Sequence, residues 1–84
     1  MTDLEFEILD QLYFVTPFQA IADESGLSSS VVKSVLWTMI SKGWVKCLSN
    51  PEVEVQIDHE EFRLNYSKYH YLATKKGLFE HNAK

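Results

Sequence analysis

The residues able to carry metal or acid–base chemistry are few, and their spacing argues against both. His59, Glu61, His70, His81 and Cys47 are the candidate metal ligands. A metal site needs three or four such ligands at matched spacing, and these five follow no such pattern. Cys47 would need a paired histidine to act as a nucleophile. Instead it sits in an apolar run, as a small hydrophobic residue does. The adjacent Glu60 and Glu61 read as loop charge, and no glycine-rich phosphate loop occurs. The expectation is a protein with no metal, no cofactor and no catalytic residue, and therefore not an enzyme.

Composition sets the frame for other functions. Eighty-four residues, 45% hydrophobic and 13% aromatic, make one compact domain over 1–84 with one core and little room for a deep pocket. A lone cysteine forms no intrachain disulfide, which fits a reducing cytoplasm. No run approaches the roughly 18 apolar residues that span a bilayer. The opening residues include Asp3, Glu5 and Glu7, not the basic-then-apolar order of a signal peptide. The net charge of −4 means that any nucleic-acid binding must come from clustered cations, because phosphate neutralisation supplies most of that affinity.

The elements follow from periodicity and caps. Leu4, Ile8 and Leu12, flanked by Leu9 and Tyr13, form a wide helical stripe, with Thr2 and Glu5 spaced as a capping box. Thr16, Pro17 and Gln19 announce a second helix, with Thr16 as cap, Pro17 at the first position and Gln19 closing the box. Its inner face is Phe18, Ile21 and Ala22, and Gly26 ends it. Ser28 or Ser29 caps a third helix over 28–42, whose core stripe is Val32, Val35, Leu36 and Met39. Gly43 stops it, with Lys42 at the negative pole. The period then changes. Residues 44–48 read as a strand, Asn50-Pro51 as a turn, and Val53, Val55 and Ile57 as the inward side of a second strand. Residues 58–68 stay open: Phe62, Leu64 and Tyr66 continue the alternation but equally suit an irregular loop folded onto the core. Residues 69–73 read as a last strand, with the tyrosines at 66, 69 and 71 packing inward. Thr74 caps a short final helix carrying Leu78 and Phe79. Trp37 falls off the third helix's stripe. It either packs on the first helix or marks a partner surface, where aromatic residues are enriched.

This order of elements predicts an α+β winged helix: a three-helix helix–turn–helix core, a two- or three-stranded antiparallel wing and a short C-terminal helix. The run from Ile21 to Ser28 resembles the helix–turn–helix corner of MarR-type and PadR-type transcriptional regulators. Val32 to Val45, closing on Lys42-Gly43-Trp44-Val45, is similar to their recognition helix and first wing strand. Leu72 to Leu78 resembles their step into the last helix. The resemblance implies that the third helix enters the major groove of double-stranded DNA. Ser29, Ser30, Lys33, Ser34, Trp37, Thr38 and Lys42 would then form the DNA-binding face, with Lys46, Lys75 and Lys76 as further phosphate partners. It also implies dimerisation through the first or last helix. Two departures stand out. Ser34 occupies a place where the family often has an arginine. Residues 52–61 carry five carboxylates and no Lys or Arg where family wings are basic. These departures support the alternative, a winged-helix protein-interaction module using Trp37 and the acidic wing.

Overall fold

A computed structural model describes residues 1–83. The elements are α1 (Asp3–Asp10), β1 (Thr16–Pro17), α2 (Phe18–Ser25), α3 (Ser29–Ser41), β2 (Val45–Asn50), β3 (Val53–Val55), α4 (His59–Asn65), a 3₁₀ turn (Tyr66–Lys68), β4 (His70–Ala73) and α5 (Lys75–Asn82). The strands form one antiparallel sheet in the order β1-β4-β2-β3. The described residues thus form an α+β domain of five α-helices and a four-stranded sheet.

Local chemistry explains most boundaries. The Thr2 side chain accepts from the Glu5 N–H while the Glu5 carboxylate accepts from the Thr2 N–H, the reciprocal box expected at the start of α1. Gly26 ends α2 at φ 69° and Gly43 follows α3 at φ 77°, a region that costs most other residues conformational energy. Ser28, not Ser29, caps α3 by accepting from the Val31 N–H. Thr74 caps α5 through the Gly77 N–H and also donates to the Gly43 carbonyl, tying α5 to the end of α3. Gly77 lies so close to Trp44 that a Cβ there would run into the Trp44 carbonyl. Ile8, Leu9, Leu12, Ile21, Val32, Leu36, Met39 and Tyr71 are wholly buried and join the helices to the sheet.

Several expectations need correction. Thr16 and Pro17 do not start α2. They form a two-residue strand paired with Tyr71 and His70, and the Thr16 hydroxyl donates backward to the Gln11 and Phe14 carbonyls. Gln19 closes no box and donates to Asp23 instead. The second wing strand is shorter than expected: β3 stops at Val55 and Val53 is 47% exposed, while Val55 and Ile57 are half-buried against the core as the alternation predicts. Residues 58–68 are neither strand nor loop but α4 and the 3₁₀ turn. Asp58 caps α4 at the Glu61 N–H, and only Phe62 of the three apolar residues is buried, while Leu64 is 60% exposed. Of the three tyrosines, Tyr71 alone lies in a strand; Tyr66 begins the 3₁₀ turn and Tyr69 ends it.

Candidate nucleic-acid interface

The α2–α3 corner fixes how α3 is presented. The Gly26 N–H closes on the Ala22 carbonyl, and the Ser25 hydroxyl accepts from the Leu27 N–H. Val32, Leu36 and Met39 then anchor one side of α3 in the core. Of the seven expected contact residues, Ser29, Ser30, Ser34, Thr38 and Lys42 are exposed, and Lys33 and Trp37 are half-buried.

Ser34 and Thr38 lie one turn apart, and the Thr38 hydroxyl donates to the Ser34 carbonyl. Together they form a ridge between two open grooves. The first groove, of about 360 Å³, brings together Ser30, Lys33, Ser34, Trp37 and Thr38 with His59, Phe62 and Arg63 of α4. The second, of about 200 Å³, brings Ser34, Thr38 and Lys42 beside Thr2, Leu4 and Glu5. Ser29 borders neither groove and faces solvent in the first turn of α3.

Trp37 packs on α4. Its ring stacks on His59 at 4.8 Å and tilts against Phe62 at 5.1 Å. Five of the seven residues of the expected reading face therefore line a groove shared with α4. Arg63, His59 and Phe62 were not foreseen as neighbours of α3. The signals for α4 are nevertheless in the chain: Asp58 three residues before Glu61 is a cap spacing, and Glu60 with Arg63 is a helical i,i+3 pair.

Charge is distributed unevenly. None of the twelve carboxylates falls between Ser25 and Pro51, a stretch that holds Lys33, Lys42 and Lys46. Several cations around α3 are nonetheless engaged. Lys42 Nζ lies 3.1 Å from the buried Glu5 carboxylate and 4.6 Å from the Trp44 ring centroid. Lys46 lies 3.4 Å from Glu54. Arg63 makes a two-point contact with Glu60, which holds the Glu60 carboxyl below its ordinary range. Lys33 has no ion pair among the described residues, and its ammonium sits 4.7 Å above the Tyr66 ring. Lys75 and Lys76 are exposed on α5, and the Lys76 side chain lies beside Gly43 at the end of α3.

Cys47 is buried, and burial pushes its thiol up to about 11, far from the thiolate that nucleophilic chemistry needs. Tyr69 donates to Glu61 at 2.5 Å, a bond that pushes its hydroxyl up to about 12. Among the described residues, no three His, Cys, Asp or Glu side chains stand together as metal ligands, and no helix is long and apolar enough to cross a membrane. No protein-family model, curated protein or solved structure matches the chain.

Proposed function

We propose that this chain is a small winged-helix DNA-binding protein, a transcriptional regulator, with α3 as the helix laid in the major groove. The observation that carries this reading is the solvent face of α3. It presents four exposed hydroxyls and Lys33, and no carboxylate occurs from Ser25 to Pro51. An acidic protein that binds DNA must keep its carboxylates off the contact surface, because each would repel phosphate. The reading takes the adjacent strands β1, β4 and β2 as the winged-helix sheet, and β3, α4 and the 3₁₀ turn, which lie between β2 and β4 in the chain, as its wing. In this reading Ser29 and Ser30 meet phosphate at the positive end of α3. Ser34 and Thr38 reach base edges, and Lys33 neutralises one phosphate. Lys42, Lys46, Lys75 and Lys76 border the same surface. Dimerisation through α1 or α5 would cover Phe14 and Phe79, the most exposed large apolar residues.

The test is fluorescence anisotropy of a labelled random duplex across a salt series, with the full chain and with Lys33→Ala. We expect binding at low salt that fades as salt rises. Lys33→Ala should weaken it and reduce the salt slope by about 1. Affinity equal to that of the unsubstituted chain would remove this face of α3 from the interface.

A second reading, a winged-helix protein-interaction module, has its own support. Trp37 is tied to α4, and Lys42, Lys46 and Arg63 already have carboxylate partners. The acidic wing is only partly neutralised. Glu54 and Glu60 pair with Lys46 and Arg63, whereas Glu61 is held by the neutral Asn65 and Tyr69, and Glu52 and Asp58 have no ion pair among the described residues, so three carboxylates remain for a basic partner. In this reading the duplex titration shows no binding even at low salt.

A further inference from the structure

We propose that the groove between α3 and α4 is a binding site for a single phosphoryl group. It differs from the duplex reading in resting on α4, which that reading does not use. Lys33 and Arg63 stand on opposite helices, and both line this groove together with the Ser30 and Ser34 hydroxyls. Two cations with hydroxyl donors match a phosphate, which offers several strong acceptor oxygens and negative charge. Position is partly set in advance. The Tyr66 ring beneath Lys33 restrains the ammonium, and the aromatic contact of Trp37 with His59 holds the two helices at a fixed spacing.

Arg63 already displays the contact this site would make. Its Nε and a terminal nitrogen reach the two Glu60 oxygens at 3.2 and 2.7 Å, the two-point geometry in which a guanidinium takes a phosphate. Glu60 is its neighbour on an exposed helical face, and such a pair is weak and readily exchanged. It therefore acts as an internal competitor for the incoming anion. The second groove, across the Ser34–Thr38 ridge, lacks this capacity, because the Glu5 carboxylate lines it. The phosphoryl group has two sources, a backbone phosphodiester of bound DNA or a free phosphorylated small molecule.

The experiment is a residue-resolved NMR titration of the full chain with inorganic phosphate against chloride at matched ionic strength. It is repeated for Arg63→Gln and Glu60→Gln, both at exposed positions that leave the core intact. We expect saturable shifts at Ser30, Lys33, Ser34 and Arg63 that chloride does not reproduce. Arg63→Gln should weaken them about tenfold, the loss of one charge-assisted contact. Glu60→Gln should tighten binding several-fold, a gain that a merely structural role for the pair would not produce. Shifts equal in phosphate and chloride, or unaltered affinity in Arg63→Gln, would overturn the site. Duplex binding by the same variants assigns the source. A parallel loss in Arg63→Gln marks a backbone phosphate, and unchanged duplex affinity beside lost phosphate binding marks a free phosphorylated ligand. If Lys33→Ala impairs duplex binding while no phosphate-specific shift appears, the site fails and the duplex reading stands.

Discussion

The two flanks of α3 are built on different physics. On the α1 side, a buried carboxylate holds the helix: Glu5 is 3% exposed and takes Lys42 from the last turn. On the α4 side, rings hold it: Trp37 against His59 and Phe62, with Lys33 over Tyr66. The first flank uses up its cation to compensate a buried charge. The second leaves Lys33 without an ion pair among the described residues and pairs Arg63 only with an exposed neighbour. A cation committed to a buried partner is poorly available to an anion, because removing it strands that partner. The flank held by aromatic packing is therefore the one whose cations are not committed to a buried partner.

The contrast can be broken at its strongest point first. Phe62 is 1% exposed and carries α4 onto Trp37. Phe62→Ala should cost about 3–5 kcal/mol in urea unfolding, typical for a buried ring, and expose Trp37, seen as a red shift in tryptophan emission. A loss under 1 kcal/mol would mean that α4 is not anchored by this ring.

The electrostatic flank should lose less. Glu5→Gln is expected to cost about 2 kcal/mol, the scale of hydrogen bonds to a charged group. Its pH signature is distinctive. Burial pushes the Glu5 carboxyl up, but the Thr2 N–H and the Lys42 ammonium outweigh it and hold the group below its ordinary value. The folded state then binds this proton less tightly than the unfolded chain. The contribution is complete above the unfolded pKa, about 4.3, and is lost as pH falls through the folded value. Thermal unfolding of Glu5→Gln should accordingly show a flatter acid limb than the unsubstituted chain. Parallel acid limbs would assign the stabilisation to other carboxylates.

The ridge should barely matter to stability. Ser34→Ala is expected to shift unfolding by no more than about 0.5 kcal/mol, as for an exposed site, while weakening duplex and phosphate binding. Loss of stability without loss of binding would reverse the role assigned to it.

How much of this was legible in the chain depends on the range of the deciding contacts. The starts of α1, α3 and α5 were readable, because Thr2, Ser28 and Thr74 bond N–H groups within three residues. The two glycine stops are equally local. Thr16 misled because its capping chemistry is genuine, but pairing with Tyr71 from the far end of the chain draws it into β1 instead. Phe62, Leu64 and Tyr66 left residues 58–68 open because alternate spacing suits a strand or a loop as well as a helix. The Asp58 cap and the Glu60–Arg63 and Glu61–Asn65 contacts, all at helical spacing, decide for α4. The hydroxyl face of α3 was legible from its period. Its division into two grooves was not, since that depends on where α4 and the start of α1 come to rest.

The central claim is that the hydroxyl-bearing face of α3 meets a duplex. Its most direct test is a residue-by-residue NMR titration of the labelled chain with a random duplex at low and moderate salt. Shifts centred on Ser30, Lys33, Ser34 and Thr38 that fade as salt rises are expected. No shifts at low salt, where even non-specific binding is strong, would contradict it and turn attention to a protein partner at Trp37 and α4.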